Sequence, residues 1–141
     1  MIQTIHKGSL EYLAAEGISV PHAFTTRFGG VSTDYLSSLN LAPTRGDDPE
    51  NVVKNYEILG DALGFDPKNA VLARQVHSDI VYRAEEKDRG AGLFAPRLPD
   101  CDALVTDVPG LALVVFSADC TPILAYDPVT GAVGAAHAQR V

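Results

Sequence analysis

Between residues 111 and 137 the chain consists of three apolar runs, broken by an Asp-Cys-Thr-Pro step at 119–122 and by an Asp-Pro-Val-Thr-Gly turn at 127–131. Short apolar runs bounded by turn residues are the pattern of buried strands. The same pattern predicts strands at 102–106, 111–118, 123–126 and 132–136, joined by short turns such as Asp107-Val108-Pro109-Gly110. Earlier, strand pieces at 70–74 and 80–83 flank Gln75-Val76-His77-Ser78-Asp79, and residues 20–26 alternate enough to form a strand that delivers Thr25, Thr26 and Arg27 to a loop. Residues 2–17 read as a weakly helical or hairpin-like lead-in.

One segment changes period. Val52, Val53, Tyr56, Leu59 and Leu63 recur at helical spacing, with Asp48 placed to cap the first turn, Pro49 pre-set for the first helical position and Gly64 placed to end the helix. This predicts a helix over Pro49–Leu63 with one apolar face, in which Gly60 lowers the propensity without defeating the pattern. Residues 85–99, charged and then rich in Gly and Pro, read as a loop and as a mobile flap over a site. Short connectors imply largely antiparallel neighbours with the helix packed on one face, so the fold class is α+β, in one domain without internal repeats.

Composition narrows the function. A 141-residue chain with 46% hydrophobic and 21% charged residues can bury a core, and its net charge of −7 leaves no basic excess for nucleic acid or an anionic membrane. The first twenty residues are interrupted by Lys7, Glu11 and Glu16, so they hold neither a signal-peptide core nor a spanning segment, and the expected location is the cytoplasm. Nothing in the cysteine content points to an oxidising compartment, and Cys101 and Cys120 are read as free thiols.

Two places carry candidate chemistry. The loop Arg27-Phe28-Gly29-Gly30-Val31-Ser32 joins an arginine to two glycines, which permits a concave row of N–H groups suited to an anion; the plain alternative is a glycine turn beside a surface arginine. Asn40 either orients a ligand or closes a turn. His77, Cys120 and His137 all fall where apolar runs give way to loops, and two histidines with a cysteine have the composition of a catalytic zinc site with an open fourth position. Taken singly, each is an ordinary packed residue, and their spacing is not diagnostic; the zinc reading requires that they meet in space. A different enzyme class also fits, with Cys120 as a nucleophile activated by a nearby histidine in a thiol hydrolase or deamidase.

Seven short blocks occur in series: Thr-Thr-Arg-Phe-Gly-Gly-Val-Ser at 25–32, Ser-Leu-Asn-Leu at 38–41, Gly-Asp-Asp-Pro at 46–49, Gln-Val-His at 75–77, Asp-Ala-Leu-Val-Thr at 102–106, Ala-Asp-Cys-Thr-Pro at 118–122 and Ala-Ala-His-Ala at 135–138. In this order they resemble the laccase-domain family, also called multicopper polyphenol oxidases and regarded as purine nucleoside phosphorylases. The resemblance implies zinc bound by His77, Cys120 and His137, with Arg27 and Asn40 as weaker candidates for binding substrate. It further implies phosphorolysis of adenosine, inosine, guanosine and methylthioadenosine, with adenosine deamination as a second activity, so that purine nucleosides and phosphate are the expected partners. Multicopper chemistry fits the residues poorly: the chain has four histidines, no His-x-His pair and no methionine beyond Met1, leaving copper as an adventitious occupant. Family members continue for roughly another hundred residues, and their His-Ala is followed by Gly-Trp-Arg-Gly, where this chain has Gln139, Arg140 and Val141. The expectation is therefore a C-terminally truncated family domain with exposed apolar surface, prone to self-association, and impaired in activity or reduced to an inactive fragment that retains a metal site.

Overall fold

A computed structural model describes residues 1–138; Gln139, Arg140 and Val141, where the chain departs from the family pattern, lie outside the described residues. The chain divides into two compact units, Met1–Pro67 and a second beginning at Lys68.

In the first unit the lead-in is a hairpin. Strand β1 (Ile2–Lys7) pairs antiparallel with β2 (Leu10–Ala15), and the Lys7↔Leu10 register leaves Gly8 and Ser9 as the turn. A two-residue loop with glycine at positive φ suits the twist of an antiparallel pair. The strand expected at 20–26 shortens to β3 (Phe24–Thr25), paired with β2. The reason is His22: its Nε2 accepts the Ala15 N–H at 2.8 Å, so a side chain takes the donor that a longer strand would have used.

Helix α1 (Pro49–Leu63) has the predicted ends. The Asp48 carboxylate accepts the Glu50 N–H at 2.9 Å, and Gly64 closes the helix at φ 85°, its N–H bonded to the Gly60 carbonyl at 2.7 Å. The apolar face meets the hairpin in a core of Leu10, Tyr12, Leu39 and Leu59, flanked by Ile5, Ile58, Leu63 and Phe65. Each fully buried aliphatic or aromatic side chain contributes roughly 1.5–3 kcal/mol to such a core. Tyr56, fully buried, donates its hydroxyl to the Leu41 carbonyl at 2.7 Å.

The second unit holds two sheets. Strand β4 (Ala70–Leu72) pairs in parallel with β7 (Ala112–Val114). Strands β5 (Val81–Arg83), β6 (Ala103–Thr106), β8 (Thr121–Tyr126) and β9 (Val133–Ala138) form a sheet of order β5-β6-β9-β8. Here β5 and β6 are parallel, whereas β6–β9 and β8–β9 are antiparallel. The class is α+β as expected, with a mixed sheet; the parallel pairs arise where connections are long enough for a crossover, and the short Asp127 turn gives the antiparallel β8–β9 hairpin.

Two expectations change here. Residues 85–99 are not a free flap: Ala91 and Leu98 join Val71, Ala73, Ala84, Cys101, Leu104 and Leu111 in the core, and Gly90 N–H bonds to the Ala70 carbonyl while Ala91 accepts from Leu72. The buried Asp88 carboxylate pins the segment further, accepting the Tyr82 hydroxyl at 3.0 Å and the Glu85 N–H at 2.8 Å. The long strand expected at 111–118 shortens to β7 because the Gln75 side chain takes both backbone groups of Phe116, accepting its N–H at 2.6 Å and donating to its carbonyl at 2.7 Å. No helix among the described residues is long and apolar enough to cross a membrane.

Candidate functional site

The second unit brings two of the predicted ligands together. His77 and His137 lie edge to face, with ring centroids 5.2 Å apart and planes at 82°. They arrive by different routes. His137 is carried inside β9, where it is paired across the ladder with Pro122 and is buried to 8% exposure. His77 sits on an exposed turn after β4, in the left-handed region at φ 63°. Histidine visits that region more often than most side chains, but the conformation still costs on the order of 1 kcal/mol and needs the surroundings to hold it.

What holds it is Asp102. Its Oδ1 accepts the Val76 N–H at 3.0 Å, the Ser78 N–H at 2.8 Å and the Ser78 hydroxyl at 2.8 Å. Its Oδ2 accepts the His77 N–H at 3.2 Å and lies 2.9 Å from His137 Nδ1. The backbone joins in, for His137 N–H donates to the Asp102 carbonyl at 2.7 Å and Asp102 N–H donates to Ile80 at 3.0 Å. One carboxylate thus gathers the whole turn that carries His77 and the ring of His137. Burial by itself would raise the Asp102 carboxyl, but donation from the Ser78 N–H, the His137 ring, the Val76 N–H and the Ser78 hydroxyl outweighs it and holds the group far below the ordinary carboxylate range. Asp102 is therefore a carboxylate in the folded protein. Since a carboxylate can only accept, the shared proton belongs to His137 Nδ1, and the nitrogen left for a ligand is Nε2.

Cys120 is the third of the predicted ligands. It immediately precedes β8, two residues before Pro122, the cross-strand partner of His137. Its carbonyl accepts the Ser117 hydroxyl, which tightens the turn. Among the described residues no group of three His, Cys, Asp or Glu side chains is gathered closely enough to hold a metal ion. Two imidazoles bound at a tetrahedral angle with Zn–N near 2 Å have centroids about 5 Å apart, and the 5.2 Å between these two rings matches that spacing alone. The carboxylate behind His137 is the partner that a ligating histidine ordinarily has.

The other two candidates belong to the first unit. The glycine loop does not present a free row of N–H groups. Gly29 and Gly30 donate to the Ser38 hydroxyl at 3.0 and 3.2 Å, Val31 donates to Asn55 Oδ1 at 2.9 Å, and Ser32 donates to the Ser38 carbonyl at 2.9 Å. The glycines serve close approach instead: a Cβ on Gly29 would lie 2.3 Å from Leu10 Cα, and one on Gly30 would lie 2.2 Å from the Ser38 carbonyl oxygen. The backbone anion nest is thus corrected to a packed turn, because its donors satisfy the fold. Arg27 is exposed, with Nε donating to the Ser37 carbonyl at 3.1 Å. Asn40 closes a turn: its amide accepts from Ala42 N–H at 3.1 Å and donates to the Ala42 carbonyl at 3.2 Å and to Asp47 at 3.1 Å.

Three residues escaped the sequence reading. Asp102 heads an apolar strand, where aspartate ordinarily marks a turn; the signal available was a run of loop N–H groups at 76–78 that needs an acceptor. Gln75 and Asn55 are the others, the latter fully buried on the apolar face of α1, where it donates to Ser32 Oγ at 2.9 Å and to the Asn40 carbonyl at 2.8 Å.

Together with the mixed sheet, these features belong to a known class. The family model described as multi-copper polyphenol oxidoreductase laccase matches residues 21–140, and the chain belongs to that family. Among its curated relatives, the purine nucleoside phosphorylase of Deinococcus radiodurans is 44% identical over 129 residues, 92% of this chain and 47% of that protein. The purine nucleoside phosphorylase ORF3 of Streptomyces griseus is 46% identical over 122 residues, 86% of this chain and 48% of that protein. The crystal structure of YlmD from Geobacillus stearothermophilus superposes with a TM-score of 0.85 at 34% identity, over 96% of this chain and 52% of that one. The chain spans about half the length of the curated relatives it matches.

Proposed function

We propose that this chain carries the zinc-binding part of a purine nucleoside phosphorylase site, with His77 and His137 as ligands and Cys120 as the third. The observation that supports this reading is the pairing of His77 and His137 on one buried carboxylate, in a chain whose relatives are named purine nucleoside phosphorylases. Adenosine, inosine, guanosine and methylthioadenosine are the substrates of this reading, and adenosine deamination is its second activity. When bound, zinc supplies Lewis acidity and a fixed point for orienting substrate.

The residues of the chain have the remaining tasks. Asp102 keeps the proton of His137 on Nδ1, so that Nε2 is presented to a ligand. Gln75 ties the turn bearing His77 to Phe116, four residues before Cys120. Phosphorolysis forms a bond from a phosphate oxygen to the anomeric carbon as the bond to the purine nitrogen breaks, and the departing base takes up a proton. Arg27, exposed and cationic in the first unit, is proposed separately as a residue that binds phosphate.

The test is metal content of the purified chain measured alongside phosphate-dependent release of hypoxanthine from inosine. Stoichiometric zinc with release is the expected result. Zinc without release would restrict the proposal to a metal site, and an absence of metal would defeat it. In the Cys120→Ala variant, zinc and both activities should be lost; zinc at the wild-type level in that variant would remove Cys120 from the ligand set.

A further inference from the structure

His77 and His137 reach each other from unlike surroundings. His77 lies on an exposed turn in a left-handed conformation, and His137 lies inside a strand. Nothing in local sequence brings a turn and a strand separated by sixty positions into register. Both meet the carboxylate of Asp102, which receives the three consecutive N–H groups of residues 76–78 and faces the His137 ring.

We propose that Asp102 is the positioning residue of the site, setting both the His137 tautomer and the His77 turn before any ligand arrives. Its side chain is almost wholly removed from water, as is that of His137, at 4% and 5% exposure. Its two oxygens receive the donors at 76–78 and the His137 ring, so neither oxygen has a reason to turn away. The Oδ2 contact at 2.9 Å keeps the proton on Nδ1 and directs the Nε2 lone pair outward. A histidine ligand whose far nitrogen donates to a carboxylate is fixed in tautomer and in ring orientation, and losing such a partner typically costs 10–100-fold in metal affinity. The inference rests on the zinc reading for its consequence, though not for its geometry.

An asparagine at 102 makes the test, because it has nearly the same shape and only one acceptor oxygen. With that oxygen turned to the N–H groups of Val76 and Ser78, its amide N–H₂ faces His137 Nδ1, which must then accept, and the ring proton moves to Nε2. The first measurement is the tautomer of His137 in metal-free protein at alkaline pH, from long-range ¹H–¹⁵N correlation spectra. The wild type should show Nδ1–H, and Asp102→Asn should show Nε2–H. The second is zinc affinity by chelator competition, which should fall about 10–100-fold in Asp102→Asn.

Nε2–H in the wild type would overturn the proposal even if the variant does not fold. So would Nδ1–H retained in Asp102→Asn, or a reversed tautomer with unchanged zinc affinity. Because the tautomer is read without metal, a wild type that binds no zinc would defeat the proposed function, while the spectra would still decide the role of Asp102.

Discussion

Asp47 illustrates how a single polar residue stabilises the first unit. Its Oδ2 accepts the Ser32 hydroxyl at 2.5 Å and the Asn40 amide at 3.1 Å, and these bonds, the serine first, hold its carboxyl below the ordinary value against the opposing effect of burial. A depressed folded-state pKa means that this contribution is fully present above the unfolded value near 4 and is lost as pH falls through the lower folded one. Asp47→Asn should therefore flatten the acid side of the stability profile, as followed by urea unfolding across acid pH, and leave neutral pH less affected by titration. Gly30→Ala is the severe change at this scale. Its Cβ would meet the Ser38 carbonyl at 2.2 Å, which is backbone, and Asn55 Oδ1 at 2.5 Å, the end of a buried side chain held by hydrogen bonds to Val31, Ser32 and Asn40. A loss of about 2–4 kcal/mol in chemical denaturation is expected; a loss near zero would mean that the turn relaxes freely.

Among the elements, α1 was legible because its signals are local. Asp48, Pro49 and Gly64 act within one turn of the helix ends, and the apolar face at Val52, Tyr56 and Leu59 repeats at the period of the helix itself. Asp48→Ala removes the bond to Glu50 N–H and should cost about 1 kcal/mol, read as a lowered midpoint in thermal unfolding. The strands were legible as apolar runs but not in their lengths. His22 cuts β3 short by taking the Ala15 N–H, and Gln75 ends β7 by taking both groups of Phe116. In each case a distant side chain competed for a backbone partner, and such competition leaves no trace in local periodicity. The same blindness made residues 85–99 look like a flap, since their polar composition hides the Asp88 anchor and the burial of Ala91 and Leu98.

At the scale of the whole chain, the four-stranded sheet has two unlike faces. Leu104, Ala135 and His137 lie on the buried one, while Val81, Val105 and Ile123 remain 59%, 39% and 49% exposed on the other. Exposed apolar area of this kind favours association, and among the described residues β8 forms an edge at the end of the sheet. We propose that copies of this chain associate through that face. Ile123→Lys, which places a charge there without touching the histidine pair, should shift sedimentation towards the monomer; an unchanged distribution would exclude the face as the contact.

By itself the sequence determined the apolar runs, the ends of α1 and the family, because each is a matter of local spacing or of ordered short blocks; zinc on His77, Cys120 and His137 is a proposal that the resemblance prompted. Only the tertiary structure decided that His77 and His137 meet and that the N–H groups of the glycine loop are already occupied. It also revealed Asp102, whose side chain reaches donors from 76–78 and from His137 at once. The physical reason is that hydrogen-bond acceptors act through space over about 3 Å, whereas periodicity reports only on neighbours along the chain.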